Sequence, residues 1–473
     1  MDVGELLSFK PKQNPKRDVA EDDRELEIEQ PGKKQRFQPS AKPGGSRSVP
    51  GQTFLAPPAV EVAGKEELLK LVEQDESGDS LDEPTLKRMI LNFDKRVLKN
   101  QELRVKFPDA PEKFMESELE LHEAIQQLHA LATVPELYSV AVEQKFIPTL
   151  LGLLSHDNTD ISVAVVNLLQ ELTDIDTLNE SQDEAAVLID ALLDQQVCAL
   201  LVHNLERLNE AQSEEADGVH NSLAIVENLT EIRPEVCLQA AQQGLLTWVL
   251  KRLRAKSPFD ANKLEKKMSR NGALKVLNHA LSGEAGKDNC AKFVDILGLR
   301  TMFPLFMKTP KKQKRKGMSA EEYEEHVVSV IASMLKSCRG SQRTRLLSKF
   351  TENDHEKTDR LMELHFKYFD KLRVIDAQLQ RNETDEDDDE IYLKRLEGGL
   401  FTLQLVDYIM MEVCASGAAS IKQRVLHTLN LRGGTVKTIR EIMREYAGNL
   451  GDGSESDAKE EEKQHILQLL DKF

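Results

Sequence analysis

Two short runs of acids and amides stand at helical spacing inside otherwise apolar segments. In the stretch AVVNLLQELTD (164–174), Asn167, Glu171 and Asp174 recur at i, i+4 and i+7, so they share one stripe away from the apolar one. In LAIVENLTEI (223–232), Glu227 and Glu231 recur at i and i+4, with Asn228 beside them. A row of carboxylates and amides can hold the cationic side chains and the backbone of an extended Lys/Arg-rich peptide. The same spacing also describes an ordinary solvated helix face.

Residue sets for catalysis are missing from the chain. It has no GxxxxGK(S/T) loop to cradle phosphates, no HExxH zinc pair, no GxSxG nucleophile elbow and no EF-hand loop. His220 near Glu215 and Asp217, and the run HDNTD (156–160), place histidine beside carboxylates. A helix start with flanking acids and an N-capped loop account for both patterns. The expectation is a non-enzyme with neither metal nor cofactor.

Basic residues gather in two places. Lys16 and Arg17, then Lys33, Lys34 and Arg36, lie in a Pro/Gly/Ser-rich N-terminal stretch and form a candidate bipartite nuclear-localisation signal, with a spacer of 15 residues. A solvated charged tail is the plainer alternative. Lys311, Lys312, Lys314, Arg315 and Lys316 sit in TPKKQKRKG (309–317). They could meet RNA phosphates or serve import, but no aromatic residues are interleaved for base stacking, which favours a solvated loop.

The elements that must carry these residues repeat four times. Ile147, Leu150, Leu151, Leu154 are echoed by Val197, Leu200, Leu201, Leu205, by Leu246, Val249, Leu250, Leu253 and by Leu299, Met302, Phe303, Phe306. Each set follows a short turn and precedes a second apolar helix, at 164–172, 223–232, 273–281 and 327–335. Repetition of a turn–helix–helix unit predicts an all-α, armadillo-type right-handed solenoid, whose long face binds other macromolecules. Segments DTLNESQDEAAVLIDALLD, NEAQSEEADGVHN and SPFDANKLEKKMSRNG (257–272) read as insertions or joints between helices.

Composition agrees with that reading. A net charge of −18 on 473 residues argues against a nucleic-acid coat and favours basic protein partners. Cys198, Cys237, Cys290, Cys338 and Cys414 show no CxxC spacing and read as reduced core thiols of a nuclear or cytosolic protein. Trp248 among Leu246, Val249 and Leu250 reads as core. No secretory signal and no 18-residue apolar run is read, so no membrane span is expected.

The expected organisation is a disordered tail with a possible short helix at 65–74 (1–80), an N-terminal helical cap (81–144), the repeats (145–340) and a helical extension (341–384). An acidic linker (385–390) and a C-terminal helical domain (391–473) follow. Helices are expected over TLKRMILNFDKRVLKNQELRVKF, 111–132, 135–144 and 356–380.

The blocks MDVGELL, LRVKFPDAPEKFMESELEL, LLGLLSHDNTDISVAVVNLLQELTDIDTL, EEADGVHNSLAIVEN, KFVDILGLRTMFPLFMK and RTRLLSKFTENDHEK resemble the beta-catenin-like armadillo proteins. That resemblance implies a non-enzymatic nuclear protein of the spliceosome. Relatives join the nineteen complex through its Myb-like subunit and recognise basic nuclear-localisation peptides there and on other splicing factors. Vertebrate relatives also bind activation-induced deaminase. The resemblance leaves a nuclear-import cargo adaptor as the alternative, with direct RNA binding third. Importin-alpha-type receptors line their groove with a regular Trp/Asn array, of which only Asn228 has a counterpart here; Glu171 and Ala280 stand at the equivalent places. A second departure is length. Relatives carry roughly two further repeats between the blocks matching SPFDANKL and KKMSRNGALKVL, which are almost fused here, placing a seam near Leu264. A first-type helix (244–256) still precedes a second-type helix, so the repeat phase survives.

Overall fold

The computed structural model describes residues 81–254, 264–309, 318–382, 388–450 and 457–473. The tail with Lys16, Arg17, Lys33, Lys34, Arg36 and the 65–74 segment lies outside them. So do the basic run with Lys311, Lys312, Lys314, Arg315 and Lys316, residues 255–263 of the joint, and 385–387 of the acidic run. All regular structure among the described residues is helical.

Helix α1 (Glu83–Lys106) begins where the Asp82 carboxylate accepts the Thr85 N–H at 2.9 Å and Pro84 fills the first turn, and it stops ahead of Pro108. Its stripe Leu86, Ile90, Phe93, Val97 is buried. The single helix expected over 111–132 is instead α2 (Met115–Gln127), flanked by 3-10 turns at Pro111–Lys113 and Leu128–Thr133. A short α3 (Tyr138–Glu143) follows.

The repeats come next. First-type helix α4 (Phe146–Gly152) leads to second-type helix α5 (Thr159–Leu172). The stretch read as an insertion is two helices, α6 (Ile175–Glu180) and α7 (Gln182–Asp194). Then α8 (Val197–Arg207) leads to α9 (Ser213–Ile232). A short α10 (Val236–Gln242) precedes α11 (Leu245–Arg254), which leads to α12 (Leu264–Leu281). Finally α13 (Lys287–Asp295) precedes α14 (Leu299–Phe306), which leads to α15 (Ala320–Ser337). The second-type helices are longer than the apolar pattern predicts, because α9 and α12 begin in polar, charged sequence that reads as loop. The segments 213–222 and 264–272 are therefore helix.

Each first-type helix is launched by one left-handed residue: Lys145 (φ 58°), Gln196 (φ 55°), Gly244 (φ 106°) and Leu297 (φ 66°). Glycine occupies the position once, so the repeated turn is a backbone feature more than a glycine signature. Gly298, after Leu297, is required for another reason: a Cβ there would lie 2.4 Å from the Phe293 ring.

The C-terminal part comprises α16 (Gly340–Ser348), α17 (Glu352–Asn382), α18 (Asp388–Arg395), α19 (Phe401–Ser416), α20 (Ala419–Leu431), α21 (Val436–Gly448) and α22 (Asp457–Lys472). Three left-handed residues, Asn353 to His355, open α17, so its regular portion starts at Glu356. Asp388, Asp389 and Glu390, expected in an acidic linker, belong to α18. The long apolar stretch Asp389–Ser416 is bent by a π-turn at Leu396–Leu400 and mostly buried inside the fold, as befits a core helix. Helices α2, α5, α9, α12, α15 and α19 each pack on the next, forming one continuous inner row. All five cysteines are buried free thiols, and burial pushes Cys237 and Cys338 up to about 11. Trp248 is buried too, its indole N–H donating to the Leu205 carbonyl at 3.4 Å.

Candidate peptide-binding face

The inner row turns a polar stripe toward solvent. On α9 the polar residues of this stripe are Asp217, His220, Asn221, Glu227, Asn228 and Glu231, at the three- and four-residue steps of one helix face. On α5 the corresponding positions are Asp160, Asn167, Gln170 and Glu171.

Side chains on this face tie neighbouring helices together. The Asn221 amide donates to Asn167 Oδ1 at 2.9 Å, joining α9 to α5. The Asn228 amide donates to the Thr173 carbonyl at 2.8 Å, closing the C-terminal end of α5. Lys275 on α12 lies 3.5 Å from Glu227 on α9 and 3.4 Å from Glu322 on α15. Burial opposes its charge, but Glu227 and Glu322 outweigh burial and hold the ammonium pKa above its ordinary value. Asn278 and His326 meet across the α12–α15 contact at 3.4 Å.

The six stripe residues expected from sequence therefore separate. Asn167, Glu171, Glu227, Asn228 and Glu231 all lie on the inner row, but Asp174 does not. Helix α5 ends at Leu172, and the Asp174 carboxylate instead caps α6 by accepting the Asp176 N–H at 3.1 Å. Glu171 is engaged by His129 Nδ1 at 2.6 Å, and Glu227 by Lys275. Glu231 is exposed and forms no ion pair among the described residues. His220 stands two turns inside α9 rather than at a helix start, half-buried, and burial lowers its pKa.

Three more unengaged acids lie at the other end of the stripe from Glu231. A cleft of about 510 Å³ opens between the N-terminal halves of α2, α5 and α9. Met115 and Leu119, each 60% exposed, supply its apolar wall, and Asn167 also lines it. Among the described residues four carboxylates surround it, Glu118, Asp160, Glu214 and Asp217, and no lysine or arginine lines it. Glu118 is held by Arg104 and by Asn158 at 2.9 Å. Asp160, Glu214 and Asp217 are exposed and make no ion pair among the described residues. Asp160 and Glu214 stand in helical first turns, where the macrodipole favours negative charge. Such a cleft can seat an apolar side chain flanked by cationic ones. Sequence reasoning did not place Glu214 and Asp217 on the binding face, because NEAQSEEADGVHN reads as an insertion and Asp217 only as an acid flanking His220; acids three apart ahead of an apolar run are the signal that could have found them.

The joint near Leu264 is closed by packing. Helix α11 lies on α12, and buried Arg252 donates to Ser269 Oγ at 2.7 Å and pairs with Glu210 at 2.8 Å. Ser269 in turn donates to Glu210 at 2.6 Å.

Comparison with known proteins places these features. A family model described as "Catenin-beta-like, Arm-motif containing nuclear" matches residues 66–264 and 264–444, two stretches that meet at the joint. The chain is similar to "Beta-catenin-like protein 1" of Mus musculus, 47% identical over 567 aligned positions that cover 100% of both chains. It is also similar to the Homo sapiens protein of that name, 50% identical over 487 positions covering 83% of this chain and 86% of the relative. The mouse alignment exceeds the 473 residues here, so that relative carries positions this chain lacks. Among solved structures, a designed armadillo repeat protein aligns with a TM-score of 0.40 and 14% identity, covering 68% of this chain and 99% of that one.

Proposed function

The chain belongs to the catenin-beta-like, Arm-motif-containing nuclear family, and we propose that it is a scaffold of the splicing machinery that grips basic peptides along its inner row. Membership makes it a non-enzymatic protein-interaction scaffold built on an all-α solenoid. The acid-lined cleft between α2, α5 and α9 carries the finer reading. Its three unengaged carboxylates beside Met115 and Leu119 suit a Lys/Arg-rich peptide with one apolar anchor.

The splicing context rests on the resemblance in sequence, which implies the nineteen complex, its Myb-like subunit and other splicing factors as partners. Activation-induced deaminase joins them in vertebrate relatives. A nuclear location is supported by the family's description and by the basic clusters Lys16–Arg17 and Lys33, Lys34, Arg36. The import-adaptor alternative has less support, since the amide of Asn228, the one counterpart of the importin-alpha asparagines, is already spent on Thr173.

The test is affinity capture from nuclear extract with the intact chain and with an Asp160→Asn, Glu214→Gln, Asp217→Asn variant. Splicing factors retained by the former and lost by the latter support the proposal. Equal recovery of those factors by both proteins, or their absence from both, overturns it.

A further inference from the structure

Glu227 comes before residue 264, where the two family-matching stretches meet, whereas Lys275 and Glu322 come after it. The fold brings the three together on adjacent inner helices, with Lys275 Nζ between the two carboxylates at 3.5 and 3.4 Å. The joint beneath is locked by the Arg252–Ser269–Glu210 cluster, so α12 sits directly against α9 and keeps Lys275 in register with Glu227. Lys275 is one-third exposed and therefore open to the same solvent face as the acidic stripe.

We infer that the ion bridge Glu227–Lys275–Glu322, formed across the joint at residue 264, interrupts the cation-accepting part of the inner face between the cleft and Glu231, making Lys275 a specificity-determining residue. The inference rests on the basic-peptide reading of the cleft. Asp217 and Glu227 are ten residues apart on the same stripe of α9, a rise of about 15 Å. An extended peptide covers that distance in about five residues. A peptide with one cation at Asp217 thus brings its fifth following residue to the Glu227 rung. There Glu227 is already neutralised, and Lys275 itself repels a second cation. His326 beside the rung adds no charge at neutral pH, because burial lowers its pKa to about 4. His220, lowered in the same direction, adds none either. The chain therefore selects peptides with a compact basic cluster at the cleft over peptides whose basic residues continue along α9 to the Glu227 rung.

The experiment uses the full chain and a fluorescent Lys/Arg-rich peptide about twelve residues long, enough to pass the Glu227 rung. Alanine replaces each peptide cation in turn. With the wild-type protein, cations over the cleft lose affinity on replacement and those reaching the rung do not; uniform losses along the peptide overturn the inference. In Lys275→Gln the distal cations gain about fivefold in affinity, the worth of one partly exposed ion pair, while Lys275→Arg behaves as wild type. A Lys275→Gln protein with unchanged melting and unchanged or weaker peptide binding also overturns it. The Asp160→Asn, Glu214→Gln, Asp217→Asn variant separates the two ideas. Loss of binding there together with silence at Lys275 rejects this inference alone, and retained binding rejects the cleft itself.

Discussion

The Asn228 side-chain amide donates to the backbone carbonyl of Thr173, 2.8 Å away at the end of the preceding inner helix. Thr173 is fully buried, so this bond satisfies a carbonyl that α5 leaves open at its C-terminus. The asparagine that sequence comparison sets apart for gripping a peptide is thus a strut between rungs. Asn228→Ala is expected to lower unfolding free energy by about 1 kcal/mol and to leave the affinity for a basic peptide unchanged. Urea denaturation and fluorescence anisotropy on one preparation check both halves, and weakened peptide binding at unchanged stability would restore the gripping role.

The pH response of the solenoid follows from its half-buried histidines. Burial, the leading cause, lowers the His326 pKa to about 4 against the partial opposition of Glu322. The unfolded chain binds a proton at this residue near pH 6.5, whereas the folded chain does so only near 4, so stability is lost as pH falls through that window. At pH 5 the loss from His326 alone is about 2 kcal/mol. Burial acts in the same direction on His156 and His220. His326→Gln should flatten the decline in denaturant midpoint between pH 7 and pH 5. An unchanged slope in that variant would mean the ring is solvated and titrates normally.

The first-type helices and the apolar cores of the second-type helices were legible because their spacing repeats four times. What stayed hidden has three physical causes. The starts of α9 and α12 carry Glu, Asp and Lys in place of apolar residues, so periodicity is silent there although the backbone is helical. Asp174 looked like a stripe residue because spacing alone does not register that α5 ends at Leu172. Pairs such as Glu227 with Lys275 depend on how rungs stack, which no local pattern encodes. Hence Glu231, unengaged at one end of the stripe, is legible by spacing, while the unengaged acids Asp160, Glu214 and Asp217 at the other end are not.

The joint near Leu264 predicts a measurable weak point. Arg252 is 8% exposed and bonded to Ser269 and Glu210, so Arg252→Ala leaves the Glu210 carboxylate without its cation. The expected cost is about 3 kcal/mol, concentrated where α11 meets α12. Limited proteolysis should then cut between residues 254 and 264 far faster than in the wild type, with the flanking repeats surviving as fragments. Cleavage spread evenly over the chain would show that the cluster is not what holds the joint.

Left-handed launch residues offer room for stabilisation. Lys145 and Gln196 adopt φ of 58° and 55° just ahead of α4 and α8, and both are exposed with their side chains free of packing duties. For residues with a Cβ this conformation costs roughly 1–2 kcal/mol, and glycine avoids the cost. Glycine also loosens the unfolded chain, which offsets part of the gain. The net expectation for Lys145→Gly and for Gln196→Gly is a rise of about 0.5–1 kcal/mol each, additive because the sites lie in different repeats. Gly244, at the same place in the next repeat, is the reverse control: Gly244→Ala should destabilise, since its φ of 106° lies outside what alanine adopts readily. Opposite shifts in melting temperature for the two kinds of variant would establish that one backbone turn, repeated along the solenoid, sets where each first-type helix begins.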